Sequence, residues 1–400
     1  MQQAFIYDAI RTPRGKAKKD GALHAVHPFD LLKALYLALE ERVGLDPGVI
    51  AEVILGCVTQ VGEQAGNIAK SSTLYAGWPS TVSGLTVSRF CSSGLDAVAL
   101  AALKINAGQE QAIVAGGIET MSRVPMMADQ AAIFSDPKLA EASKILLMGS
   151  GADLIASLYG CSRADVDAVA LESQQRASAA IAGDYFSSIM PIKHPISGDD
   201  VAVDECVRPE TTMASLGALP ASFESIGRSG ADAIQLAAYP QLASISHVHT
   251  AGNSPAMADA AATVLIGSKA FSEVLGAKPR AVIKRIVTAA DEPLLVLSGC
   301  VAATKKLLAT ENLSVADIDL FEIHEAFAAT MIKLQQDLSI PSEKLNVNGG
   351  VIALGHPLGA TGAIMLGVLL DELERRQLRT GLVATSGAAG LGTALLIERL

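Results

Sequence analysis

Three short segments carry residues able to do covalent chemistry. In the first, Ser88-Arg89-Phe90-Cys91-Ser92-Ser93-Gly94 leads straight into an apolar stretch from Leu95, so Cys91 falls in a small-residue turn at a helix N-terminus. Unpaired N–H groups and the positive end of the helix dipole favour an anion there. The Cys91 thiol is therefore expected to ionise below its usual value of about 8.5 and to act as a nucleophile. A buried structural thiol is the other reading of the same residue. In the second segment, Gly349 to Gly362, His356 sits in a glycine-crowded turn, again just before an apolar helix. Glycine permits conformations and close approaches that other residues do not. A histidine held there can be the base that generates a thiolate. The third segment, Ile323-His324-Glu325-Ala326-Phe327-Ala328, puts His324 where a strand meets a helix. Glu325 beside it invites a metal reading, but no second histidine follows at i+4, and no metal is expected.

The elements that must hold these residues follow from composition and pattern. Of 400 residues, 50% are hydrophobic and 18% charged, which excludes a disordered chain and allows a sizeable core. Aromatics are only 4% against 35 glycines, so the core is built from Ala, Val, Leu and Ile on closely packed elements. The net charge of −10 offers no global field for nucleic acid. Lys16, Lys18 and Lys19 form a small basic segment that reads as a solvated loop, and neither it nor Arg228 is given a role. The cysteines at 57, 91, 161, 206 and 300 are odd in number and lack a C-x-x-C pair. A reducing, cytoplasmic setting is expected, with no disulfide framework. No apolar run approaches the roughly 18 residues of a membrane span, and the start of the chain lacks an export signal.

The pattern of Val49 to Gly56, a helix end running into a buried strand, returns at Ala316 to Ile323. Each is followed by a glycine turn opening an apolar helix (Leu95 to Ile105; Ala363 to Leu373) and then a strand ending in small residues (Ala112 to Gly117; Gly381 to Gly387). This reads as a duplicated βαβ-rich half. Residues 121–246 differ in texture, with Met121, Met126, Met127 and Met148 among many Ser, Asp and Pro. They read as an insertion, either a lid over an apolar ligand or ordinary loop packing.

Together the segments resemble the thiolase family over nearly the whole chain. Tyr7-Asp8-Ala9-Ile10-Arg11-Thr12-Pro13 is similar to the family's opening strand and turn, the Cys91 segment to its nucleophile loop, and Gly116 to Ser122 to the strand exit that follows. Ser173-Gln174-Gln175-Arg176-Ala177 resembles its loop domain and Ala251-Gly252-Asn253-Ser254 the return to the core. His324-Glu325-Ala326-Phe327 and Gly355-His356-Pro357 resemble its two histidine motifs.

The resemblance implies an α/β thiolase fold, with two duplicated halves in a five-layer α-β-α-β-α core plus a loop domain covering coenzyme A. The divisions expected are 1–120 with 247–270, then 121–246 for the loop domain, then 271–400. It also implies thiolytic cleavage of a 3-ketoacyl-CoA, or the reverse condensation, in which Cys91 carries the acyl group and His356 activates its sulfur. A first oxyanion site would use His356 and a water held by His324, and a second the backbone N–H groups of Cys91 and Ala388. Met148, Ala326 and Phe327 would contact coenzyme A, which is a substrate and not a resident cofactor. A homodimer or homotetramer is implied, with a hetero-complex as an alternative.

The chain departs from the family pattern at Ser386, which stands where the family's second catalytic cysteine is expected. A hydroxyl is far less acidic than a thiol and cannot shuttle the α-carbon proton unaided. Three readings follow: another group such as His324 takes the proton; the enzyme is slow or does other acyl chemistry, as a condensing enzyme or acyl-CoA hydrolase; or the chain is a non-catalytic acyl-CoA-binding subunit. Pro255, after Gly-Asn-Ser, also removes a hydroxyl and an N–H that could meet the pantetheine arm. The stretch between Phe223 and Thr250 is long, with an additional helix expected at Ala231 to Leu236 near the substrate mouth.

Overall fold

The structure, a computed structural model, describes residues 2–400. Its strands are β1 (Phe5–Arg11), β2 (Glu52–Gly56), β3 (Ser83–Val87), β4 (Ala112–Thr120), β5 (Ala258–Gly267), β6 (Ala281–Ala290), β7 (Leu320–Ile323), β8 (Thr380–Ser386) and β9 (Leu391–Arg399), besides a few two-residue strands. They lie in the order β7-β8-β9-β6-β1-β5-β4-β2-β3. The order contains one motif twice. β2 runs parallel to β4 as β7 does to β8, while β4/β5/β1 and β8/β9/β6 are antiparallel. The halves join where Phe5 faces Val282 and Ile6 faces Ala281. The duplication expected from the sequence is therefore present in the topology.

Side chains alternate across a strand, and the alternation sorts the core into layers. Ile54, Ile113 and Ala115 share a cluster with α3 (Ser93–Asn106) and α9 (Thr361–Arg375); Val53, Leu55 and Val114 turn to the other face, against α1 (Pro28–Val43) and α2 (Ile68–Ala76). In the other half, Leu320, Val383 and Leu395 join the α3/α9 cluster, and Phe321, Leu382 and Leu396 pack on α7 (Gly299–Glu311) and α8 (Ala328–Leu338). The sequence of layers is helix, sheet, helix pair, sheet, helix. α3 and α9 are the middle layer, and they meet at their first turns. A Cβ on Gly94 would lie 2.5 Å from the Gly359 oxygen, and one on Gly362 2.5 Å from the Leu95 nitrogen. Only hydrogen at these positions lets the two helix starts touch.

Residues 121–246 hold α4 (Met148–Leu158), α5 (Arg163–Ala182) and α6 (Asp232–Ala238) amid long loops. α5 opens on a capping box between Ser162 and Asp165. α6 is the additional helix expected there; it follows a π-turn at Gly227–Ala231 and docks on α4 through Gln235 Nε2, which donates to the Ser150 carbonyl at 2.8 Å. The return to the core is pinned by buried Asp153, which meets His249 Nδ1 at 2.7 Å and His247 Nδ1 at 2.9 Å. His247 Nε2 reaches Asp232 at 3.1 Å. Burial favours neutral His247, but the two carboxylates outweigh it, and its pKa is raised. Among the described residues, no single helix is long and apolar enough to cross a membrane.

Candidate active site

Cys91 lies between edge strand β3 and the first turn of α3. The chain reverses there through Phe90, which holds a left-handed conformation at φ 51°, and the turn is tied by the Arg89 N–H donating to Ser93 Oγ at 2.8 Å. A bulky residue in that region stores strain, of the kind found where a side chain must be presented. No side chain caps α3, and buried Ser92 Oγ is without a partner. Cys91 is half-buried, whereas Cys57, Cys161, Cys206 and Cys300 are buried.

The thiol does not behave as expected from its helix terminus. Burial, reinforced by the Glu119 carboxylate, pushes Cys91 up to about 12. A helix end contributes about 0.3–1 kcal/mol, rarely ~2, and one pKa unit is about 1.4 kcal/mol, so desolvation wins here. In the free protein Cys91 is a neutral thiol that needs a base.

An imidazole stands across the layer. Gly355, at φ 103°, turns the chain where a Cβ would sit 2.9 Å from Ala258 Cβ and 3.1 Å from Cys206 Sγ. His356 follows, its N–H donating to the Ala256 carbonyl at 2.7 Å. Its Nδ1 lies 2.7 Å from Thr361 Oγ1. The threonine hydroxyl also lies 3.2 Å from the Pro357 carbonyl, which can only accept; with its one proton placed there, we assign the hydroxyl as the acceptor of His356 Nδ1–H. The opposite nitrogen, Nε2, then carries a lone pair. Burial, with help from His324 and Arg14, holds the His356 pKa well below 6.5, which keeps that lone pair free at neutral pH.

The His324 ring centroid is 4.5 Å from that of His356, and its tautomer is the reverse. His324 Nδ1 accepts from the Ser386 backbone N–H at 3.3 Å, so Nε2 bears the proton. This N–H is buried without a partner, and burial pushes the His324 pKa down to about 4. The pair presents one acceptor and one donor, both neutral.

Ser386 itself is fully buried and its hydroxyl is committed: it donates to the Leu297 carbonyl at 2.8 Å and accepts from the Cys300 N–H at 2.9 Å. Its neighbour Gly387 backs onto the Cys91 turn, where a Cβ would lie 2.6 Å from the Arg89 oxygen, so the turns carrying Cys91 and Ala388 abut. Ala388, Ala326 and Phe327 are buried in one cluster with α4 and α6, against which Met148 and Phe90 pack. The Phe327 ring meets Phe223 at 5.7 Å and His249 at 5.4 Å, both edge to face. Among the described residues no group of His, Cys, Asp or Glu is placed to hold a metal ion.

Several supports were not given that role from the sequence. Buried Glu119, at the end of β4, accepts from the N–H groups of Val58, Thr59 and Gly359 and from Gln64 Nε2, at 2.8 to 3.1 Å, fastening the His356 turn to the Cys91 half. Asp204 grips Arg11 at 2.6 and 2.9 Å and Arg14 at 2.9 Å, all buried beneath the Gly355 turn. Glu325 accepts from Ser173 Oγ at 2.8 Å and the Ile352 N–H at 3.1 Å, bracing the segment after His324. Thr361 is the fourth. A signal existed for Glu119, a lone carboxylate closing an all-apolar strand, and for Thr361, a hydroxyl one turn past a histidine.

Residues 4–236 match the model of the thiolase N-terminal domain and residues 277–399 that of the thiolase C-terminal domain. The chain belongs to the thiolase family, and it is an acyltransferase acting on coenzyme A thioesters. It is 37% identical, over the full length of both chains, to a 3-oxoadipyl-CoA/3-oxo-5,6-dehydrosuberyl-CoA thiolase of Escherichia coli, and likewise 37% identical to a 3-ketoacyl-CoA thiolase of Bacillus subtilis. The crystal structure of the Bacillus anthracis acetyl-CoA acetyltransferase superposes with a TM-score of 0.85 at 32% identity, over 100% of this chain and 99% of that one.

Proposed function

We propose that the chain cleaves a 3-ketoacyl-CoA with coenzyme A, using Cys91 as nucleophile and His356 Nε2 as its base. The observation that carries this is the pair of facing histidines with opposite tautomers, held by segments that abut the Cys91 turn at Gly387 and the start of α3 at Gly359. A lone pair at His356 is what a neutral thiol requires, and a bare N–H at His324 is what a developing oxyanion, or the water that meets it, requires. The Cys91 and Ala388 N–H groups, on abutting turns, would form the second oxyanion site. Met148, Ala326 and Phe327, which share one apolar cluster, would meet the pantetheine arm, with residues 121–246 as its cover.

The test is thiolysis of acetoacetyl-CoA and of a longer 3-ketoacyl-CoA, with mass spectrometry of the Cys91 peptide. Turnover with an acyl group on Cys91, abolished in Cys91→Ala, supports the reading; acylation without acetyl-CoA release supports the condensing or hydrolytic alternative, which the lack of a thiol at position 386 favours. Absence of acylation would point to a binding subunit.

A homodimer or larger homo-oligomer is supported by edge strand β3, open on one side, with exposed Leu85 on it and Leu100 and Leu103 exposed on α3. A cytoplasmic site is supported by five free cysteines.

A further inference from the structure

We infer that a single base, His356, carries every proton of the reaction, and that Ser386 is a structural hydroxyl taking no part in proton transfer. The inference rests on Cys91 as the nucleophile. Three observations lead to it. The Ser386 proton is held by the Leu297 carbonyl and its oxygen by the Cys300 N–H, both on the segment that opens α7. His324 has no lone pair to offer, since Nδ1 already accepts from the Ser386 N–H and Nε2 bears the proton. His356 alone of these groups has an uncommitted acceptor, because Thr361 fixes its proton on Nδ1.

One base closes the balance. In the first half-reaction the Cys91 S–H proton passes to His356 Nε2, and the sulfur bonds to the ketone carbon. The bond between that carbon and the α-carbon breaks, leaving its electron pair on the α-carbon as a thioester enolate. The His356 imidazolium protonates the α-carbon, and acetyl-CoA leaves with neutral His356 restored. In the second half-reaction the incoming coenzyme A thiol gives its proton to His356, its sulfur bonds to the acyl carbon, and the Cys91 sulfur departs and takes the proton back. No second acid/base is needed, because His356 is neutral whenever it must accept.

Two variants test this separately from the nucleophile. Removing a group that moves the proton costs roughly 10²–10⁴-fold in rate. Ser386→Ala is expected to keep kcat/KM for a 3-ketoacyl-CoA within about threefold of wild type while lowering the melting temperature, since only a hydrogen-bonded anchor is lost. A fall of about 100-fold in folded protein would overturn the inference. His356→Ala, acetylated on Cys91 with p-nitrophenyl acetate at about pH 10, where hydroxide supplies the thiolate, and then returned to about pH 7, is expected to retain its acetyl group when coenzyme A is added. Transfer to coenzyme A at the wild-type rate would reveal a second base and overturn it, whether or not Ser386→Ala folds. If wild-type Cys91 takes no acyl group from a 3-ketoacyl-CoA, the nucleophile reading fails, and this inference with it.

Discussion

Thr361→Val isolates the one hydrogen bond that decides which nitrogen of His356 is basic. Valine matches threonine in shape, so the packing at the start of α9 is kept while the 2.7 Å contact to Nδ1 is lost. His356 is then left with two poor choices. It can keep its proton on a buried Nδ1 without an acceptor, or move it to Nε2 and present a donor to the Cys91 thiol. An unsatisfied buried donor costs about 1–3 kcal/mol. At about 1.4 kcal/mol per factor of ten, kcat/KM for a 3-ketoacyl-CoA is expected to fall roughly 5- to 150-fold. Because Thr361 touches neither substrate nor Cys91, it is a positioning residue. The discriminating readout is rescue: Thr361→Ser restores the acceptor and should return most of the rate, despite removing a methyl from the core. Steady-state thiolysis across pH 6–9 measures both variants. If Thr361→Val stays within about twofold of wild type, or Thr361→Ser is as slow as Thr361→Val, the tautomer assignment is wrong.

Other outcomes follow from the same geometry. The depressed pKa of His356 keeps it neutral as pH falls past its ordinary value, so the acid limb of kcat/KM should lie well below 6.5; a limb centred near 6.5 would contradict it. Cys91, pushed up to about 12, should react slowly with iodoacetamide at pH 7 and faster in proportion to thiolate up to pH 9. Asp204→Asn strands Arg11 and Arg14 in the interior and should cost about 3–5 kcal/mol by denaturant unfolding. Burial opposes the Asp204 carboxylate, but the two arginines outweigh it and lower its pKa. The wild-type contribution is therefore present above the ordinary carboxylate pKa and is lost only as pH falls through the lower native value. His247 shows the opposite sign. Its raised pKa gives stability that is complete below about 6.5 and is lost as pH rises through the native value. Hydrogen exchange over residues 227–239 should be more protected at pH 6 than at pH 8.5, after correction for intrinsic rates, and His247→Gln should remove the difference.

The residues proposed to react could be picked out because their signals are local: a thiol or an imidazole in a small-residue turn that opens an apolar helix. The duplication was legible because strand, glycine turn and apolar helix recur in the same order, and the topology repeats them in β2, α3 and β4 and again in β7, α9 and β8. What escaped was set by contacts remote in the chain. The Cys91 helix terminus could be read, but not the depth of burial or the approach of Glu119, and those reverse the direction of its pKa. Ser386 could be read as a missing thiol, yet nothing local shows that its hydroxyl is spent on Leu297 and Cys300. Asp204 meets Arg14 only because residues 121–246 fold back beneath the Gly355 turn.

The meeting of α3 and α9 at their first turns has a consequence for how such a centre can arise. In a symmetric pair of identical halves, the equivalent turns would face each other across the axis carrying the same residue, thiol against thiol or imidazole against imidazole. Acid–base pairing across that axis requires the copies to differ, which a chain containing both halves can encode and a dimer of one repeated half cannot. On the proposed reading neither half alone owns a working centre: the β4/α3 side supplies the sulfur and the Glu119 tether, and the half that holds β7, β8 and α9 supplies both imidazoles and the Thr361 pin. Catalytic competence is thus a property of the seam, and a substitution that enlarges Gly94 or Gly362 would separate nucleophile from base while each half kept its own sheet.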